Sequence, residues 1–227
     1  MKNAIVLCSG GLDSVTTAYW ARKQGYGKIT LLFFDYGQKT VKMERKCSKL
    51  CAQSLDAEFV EIKLDWLGKI SDSLINKPGK IKKLERKDLK DTKKESEKYY
   101  VPCRNSIFII HALALAESLL IKTGERNDIL LGFKNEGEES YPDTTKEFVL
   151  EMNKLSKISC GGFEIIAPVI EMDKEDIISL GNKLGIDYRK TFSCYIGTEK
   201  HCGKCLACML RKEGFYWANV KDPTKYD

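Results

Sequence analysis

No apolar run in the 227-residue chain approaches the roughly 18 residues that would suggest a membrane span. Met1-Lys2-Asn3 leads directly into a short strand-like run rather than a signal-peptide core. The expectation is therefore a cytosolic protein with no membrane partner. There is also no internal repeat and no low-complexity tract, and fibrous or disordered classes are set aside. Two familiar phosphate-binding signatures are missing as well. No Lys follows the glycines near the start, as a Walker loop would need, and no Gly-x-Gly-x-x-Gly dinucleotide fingerprint is present.

What is there suits one globular core with a small appended unit, at 43% hydrophobic and 31% charged residues. In a reducing compartment the nine cysteines read as buried thiols, metal ligands or catalytic groups rather than a disulfide framework. The net charge of +6 is mostly local. Residues 80–98 hold nine Lys/Arg against five Asp/Glu, four of the six net charges. Such a run reads as a solvated, partly helical loop laced with opposite charges, and nucleic acid is not expected as a partner.

Short apolar runs alternate with helical patterns along the chain. Runs fall at residues 3–8, 29–34, 58–64, 128–132 and 163–167, and helices at 14–24, 39–54, 104–122, 144–159 and 174–184. This alternation predicts an α/β fold, a parallel-sheet Rossmann-like core buried on both faces. The pattern ends near Arg189, which divides the chain into residues 1–189 and a C-terminal segment, 190–227. Residues 71–98 form the one candidate insertion, open to reading as a lid, a binding loop or a disordered stretch.

The first β-to-α turn carries Cys8-Ser9-Gly10-Gly11-Leu12-Asp13-Ser14. In an open parallel sheet this turn presents a helix N-terminus, with unpaired N–H groups, to whatever binds beyond the strand ends. Gly10 and Gly11 would allow a sharp turn and close backbone approach to a phosphate, with the hydroxyls of Ser9 and Ser14 at its edges. Asp13 is open between capping the helix and holding Mg²⁺.

At the other end Cys194, Cys202, Cys205 and Cys208 are spaced C-x₇-C-x₂-C-x₂-C. Four thiolates in so short a span would satisfy a closed tetrahedral Zn²⁺ site, which is structural rather than catalytic. An iron–sulfur cluster is the rival reading, and His201 reads as a bystander. Among the other cysteines, Cys47 and Cys51 share a helical face and read as core. Cys103 sits between Pro102 and Arg104 at a helix start.

The stretch Ser-Gly-Gly-x-Asp-Ser after the first strand resembles the pyrophosphate loop of the N-type ATP pyrophosphatases, which transfer AMP to a substrate oxygen. Together "SGGLDS", "DYGQ" at 35–38, "VPCRNSIF" at 101–108, "YPD" at 141–143 and the cysteine tail at 193–215 resemble the QueC family of 7-cyano-7-deazaguanine (preQ0) synthases, over nearly the whole chain. The resemblance implies an ATP-dependent carbon–nitrogen ligase of queuosine biosynthesis, acting on 7-carboxy-7-deazaguanine and ammonia, with ATP, Mg²⁺ and Zn²⁺. A homodimer, the assembly of many relatives, would be compatible with it.

Carried over residue by residue, the resemblance implies ATP binding by residues 8–14, with Asp13 and Arg104 catalytic and Asp35 and Tyr36 near the nucleotide. It also implies substrate contacts from Arg104, Asn105, Tyr141 and Asp143, and zinc on the four cysteines. Asn105 could instead cap a helix, and Lys204 and Arg211 are open between screening phosphate charge and a solvated surface role. The chain departs from the family where Leu12, Cys103, Gly137, Ser140, Thr144 and Thr145 stand, the last four in the substrate loop. Two alternatives follow: a QueC-like enzyme that passes the acyl group to another amine, such as a protein acceptor, and a tRNA-thiolating relative using Cys103.

Overall fold

The structure, a computed structural model, describes residues 2–134, 141–196 and 199–227. Gly137 and Ser140, two of the substrate-loop departures, lie outside the described residues. At its centre is β1 (Asn3–Leu7), an apolar run that pairs in parallel with β2 (Ile29–Asp35) on one side and with β4 (Asn127–Leu131) on the other. β3 (Glu58–Lys63) extends the β2 side and β5 (Ile165–Ile166) the β4 side, giving the all-parallel order β3-β2-β1-β4-β5. The predicted α/β fold is the observed one. Strand order reverses between β1 and β4, and that is where open α/β sheets bind ligands.

Each face of the sheet has its own core. On one face α1 (Leu12–Lys23), α2 (Val41–Leu55), α7 (Lys174–Lys183) and α8 (Leu206–Trp217) contribute Val15, Cys51, Ile178 and Phe215 to a cluster with Val6 and Leu31. On the other face α5 (Arg104–Thr123) and α6 (Lys146–Ser159) set Ile109, Leu113, Val149 and Met152 against Ile5, Leu32 and Ile129. β-Branched and leucine side chains on strands buried from both sides explain why β1, β2 and β4 read as continuous apolar runs.

α5 corrects one expectation. Its 20 residues, at a mean hydropathy of 1.6, are long and apolar enough by composition to cross a membrane, although Asn105, His111 and Glu117 interrupt every apolar run. Yet Ile109, Ala112, Leu113 and Ala116 form an i, i+3, i+4, i+7 stripe buried in the core, the pattern of an amphipathic helix seated on a sheet. A left-handed Gly124 (φ 73°) ends it.

β5 is shorter than the run at 163–167 suggested. Asn153 of α6 accepts the Ile165 N–H at 3.0 Å and donates to the Ile165 carbonyl at 2.8 Å. A side chain thus covers the outer edge of the sheet, where a longer strand would present unpaired groups. α8 is an element the alternating pattern did not predict.

Residues 71–98 are not wholly a solvated loop. They hold a 3₁₀ turn at Arg86–Lys90 and one turn of helix, α4 (Lys93–Ser96), before a second 3₁₀ turn at Glu97–Tyr99, and follow α3 (Asp65–Ile70). Ile75 and Leu84 are buried in the α5-side core, and the Leu84 N–H donates to the Lys204 carbonyl at 3.0 Å. Some of the segment's charges pair within it, Lys82 with Asp88, Lys87 with Glu85 and Lys98 with Glu95, while Arg86 reaches Glu213 of α8.

Because Ile109 is fully buried at the centre of the α5 stripe, Ile109→Ala is expected to cost about 2–5 kcal/mol by leaving a cavity. Urea unfolding measures it, and a loss below about 1 kcal/mol would mean that α5 is not seated on the sheet.

Candidate active site

A cavity of about 350 Å³ opens at the carboxyl ends of β1, β2 and β4. Its floor is the turn from β1 into α1. Gly10 adopts φ 78°, and a Cβ there would lie 2.8 Å from the Glu44 carbonyl and 2.8 Å from Cys47 Cβ. Only glycine fits. Gly11, not Asp13, is the N-cap of α1, with no side-chain cap bond, so the capping alternative for Asp13 falls. Ser9 Oγ and Ser14 Oγ lie 3.3 Å apart, and Ser9 Oγ accepts from the Gly11 N–H at 3.4 Å. The first N–H groups of α1 have no carbonyl within the helix to bond, so the turn forms a cradle for negative charge.

Gly132, just after β4, runs beneath this turn. A Cβ there would meet the Ser14 backbone nitrogen at 2.6 Å. Cys8, Ser9, Gly11, Leu12, Asp13 and Ser14 all line the cavity, with Gly10 packed behind them. The Asp13 carboxylate is engaged by a residue the sequence did not single out: Lys174, the first residue of α7, places Nζ 2.7 Å from each carboxylate oxygen.

The opposite wall is built by α5 and the end of β2. Arg104 donates from Nη1 to Tyr36 Oη at 3.4 Å and lies over the Tyr36 ring, and both line the cavity. Burial pushes the Tyr36 phenol up to about 12, leaving it protonated at neutral pH. Asn105 also lines the cavity but is not the helix cap, a position held by Cys103. Its Nδ2 donates to the Asp143 carbonyl and its N–H to the Asp143 carboxylate, both at 3.2 Å. Asp143 is buried and stands behind the wall, holding Asn105. Tyr141 reaches the cavity and donates its hydroxyl to the Ser96 carbonyl at 2.7 Å, and Thr144 lines it too. Asp35 does not line it; its carboxylate turns to Arg45 at 2.7 Å, which also grips Glu61. Cys103 is exposed, in a left-handed conformation (φ 53°) outside the cavity lining.

Sequence reasoning missed Glu44 and Lys174, which both line the cavity. Glu44 shares the inward face of α2 with Cys47, Ser48 and Cys51, so helical spacing from Cys51 could have found it. Nothing in the neighbourhood of Lys174 marks it.

The four cysteines lie beside the cavity. Cys194, Cys202, Cys205 and Cys208 are buried, and their sulfurs all lie within 4.8 Å of one another. Backbone N–H groups of Ile196 and Cys202 point at Cys194 Sγ, and those of Lys204 and Cys205 at Cys202 Sγ. Bonds from Cys205 and Cys208 hold the Cys194 thiol far below its ordinary value. Sulfurs so grouped, with N–H donors around them, fit a tetrahedral metal.

His201 is no ligand of this group. Its Nε2 accepts the Ser193 N–H at 3.0 Å, and burial and Arg211 push it down to about 4, so it stays neutral. Arg211 is not a surface residue. It is 1% exposed and donates to Thr191, Ser193, Thr224 and the Tyr188 carbonyl while reaching the cavity wall. Lys204 is exposed.

The family model described as queuosine biosynthesis protein QueC matches residues 3–219. A 7-cyano-7-deazaguanine synthase of Methanosphaera stadtmanae is 38% identical, over 99% of this chain and 98% of its own. One of Methanobrevibacter smithii is 36% identical, over 100% and 98%, and one of Rickettsia bellii 34% identical, over 100% and 99%.

A metal held by the four thiolates would stabilise the fold. Purified protein is expected to carry one tightly bound metal per chain by elemental analysis. Cys208→Ser is expected to lose it and to melt lower by on the order of 5 °C. An unchanged metal content in that variant would remove the site.

Proposed function

The chain belongs to the QueC family, and on that premise we propose that it is an ATP-dependent ligase converting 7-carboxy-7-deazaguanine and ammonia into 7-cyano-7-deazaguanine. The observation that supports this best is the glycine turn at residues 9–14, opening with the α1 N-terminus onto a cavity whose far wall is Arg104 and Tyr36. Polyphosphate and carboxylate chemistry would meet there.

A carboxylate is a poor electrophile and an amide oxygen a poor leaving group. AMP transfer remedies both. The carboxylate attacks the α-phosphate and pyrophosphate leaves; ammonia then displaces AMP to give the amide. A second ATP activates the amide oxygen, and its departure as AMP leaves the nitrile. The N–H groups of the turn and the Ser9 and Ser14 hydroxyls would hold the departing pyrophosphate as charge builds on it. Arg104 would steady the reacting carboxylate, and Asn105, fixed by Asp143, would face the heterocycle beside Tyr141. Asp35, tied to Arg45, would serve the β2 end from behind rather than touch nucleotide.

Asp13 would hold the Mg²⁺ that accompanies ATP and neutralises its phosphates, and Lys174, its present partner, would lie against the same phosphates. The four cysteines would hold Zn²⁺ as a closed structural site, and residues 190–227 would act as a wall of the active site as well as an appended segment. A cytoplasmic location belongs to the same reading.

Incubating the protein with ATP, Mg²⁺, ammonia and 7-carboxy-7-deazaguanine is expected to release pyrophosphate and AMP and to give the nitrile by mass spectrometry. AMP without amide or nitrile would count against it and favour transfer to another amine. Gly10→Ala, strained by its positive φ and its contact with α2, is expected to cut substrate-dependent pyrophosphate release roughly 10²-fold or more. Wild-type rates in that variant would remove the turn from the chemistry.

A further inference from the structure

Two carboxylates line the cavity among the described residues, Asp13 and Glu44. They are held differently. Asp13 is ion-paired to Lys174 through both oxygens, whereas no Lys or Arg among the described residues lies at ion-pair distance from Glu44. Neutral donors hold it instead. Gln38 Nε2 donates to one oxygen at 2.9 Å and the Thr40 hydroxyl to the other. Gln38 is itself fixed, accepting the Tyr36 N–H and donating to the Phe34 carbonyl, both at 2.9 Å.

This places a preorganised carboxylate in the first turn of α2, with its own backbone carbonyl against Gly10 of the phosphate turn. Burial raises its carboxyl above the ordinary value and the Asp35 charge adds to that, while the Thr40 and Gln38 bonds and the more distant Arg104 charge pull it back. An ion-paired carboxylate is a weak base; one held by neutral donors in a buried site keeps its appetite for a proton.

The ligase chemistry, on which this inference rests, requires such a group. When ammonia attacks the acyl adenylate, a C–N bond forms, the C–O bond breaks with its electron pair leaving on AMP, and the nitrogen must shed a proton. In the second half the O-adenylated amide loses one N–H proton to give the neutral imidate. The last N–H proton then departs as the C–O bond breaks, the electron pair again leaving on AMP, and the C–N triple bond closes.

We propose that Glu44 is the base that accepts these nitrogen protons, a catalytic residue distinct from the phosphate-binding turn. The first adenylation moves no nitrogen proton, so it separates this role from nucleotide binding.

In Glu44→Gln, exchange of labelled pyrophosphate into ATP, driven by 7-carboxy-7-deazaguanine without ammonia, is expected to persist. Ammonia-dependent amide formation is expected to fall roughly 10²–10⁴-fold. Hydroxylamine, whose attacking nitrogen sheds its proton more readily, is expected to recover most of the acyl transfer. Glu44→Asp, with thermal unfolding monitored alongside, decides the matter if the Gln variant is misfolded: amide formation should fall more than exchange. Equal loss of exchange and amide formation, or amide formation at the wild-type rate in Glu44→Gln, overturns the proposal. A wild-type protein showing no exchange with this carboxylate overturns the ligase reading itself.

Discussion

At Gly10 the chain passes so close to α2 that the Glu44 carbonyl would sit 2.8 Å from any Cβ, and the backbone holds φ 78°. That approach brings three things to one place: the N-terminus of α1, the first turn of α2 and the segment leading into Cys194, since the Phe192 N–H donates to the Gly10 carbonyl at 2.9 Å. The second close approach, Gly132 beneath Ser14, brings the end of β4 under the same turn. With both glycines in place, backbone from widely separated parts of the chain converges at one turn.

The electrostatics of the cavity follow from that convergence. Lys174 and Arg104 line it from opposite elements, and Arg211 adds a buried guanidinium at the cysteine side. Against them stand only two cavity-lining carboxylates among the described residues. A concave, partly desolvated surface with this balance favours anions. Asp13 is ion-paired to Lys174, whereas Glu44 is hydrogen-bonded by the neutral donors Gln38 and Thr40.

The fold was legible because strands buried on both faces must be continuously apolar and helices seated on them periodic; β1, β2, β4 and α5 all obey this. The tight turn from β1 into α1 was legible because Ser-Gly-Gly-x-Asp-Ser follows directly on an apolar strand, and the cysteine group because four thiols seldom fall within fifteen residues by accident. What the sequence hid depends on direction rather than composition. Asp35 points to Arg45 instead of the cavity, Arg211 is buried although a solvated surface role was open to it, and Lys174 crosses from α7 to Asp13 over a separation of 161 residues. Local pattern carries no information about such partners. Ile75 and Leu84 escaped for the same reason: isolated apolar residues in a charged run find the core only through tertiary contacts.

The cysteine group also has a consequence for the turn it adjoins. Cys194 follows directly on Phe192 and Ser193, whose backbone groups bond Gly10 and His201, while Arg211 in α8 holds Thr191 and Ser193 from beneath. Cys47 of α2 packs in the same cluster as the four sulfurs. A metal drawing those sulfurs together would therefore tighten α2, α8 and residues 191–193 against the glycine turn, and so would set how rigidly the α1 N–H groups are aimed. Preorganised dipoles act on developing charge only as well as they are held, so a metal held by the four thiolates, some 200 residues along the chain, would have a physical route to the aim of the α1 N–H groups.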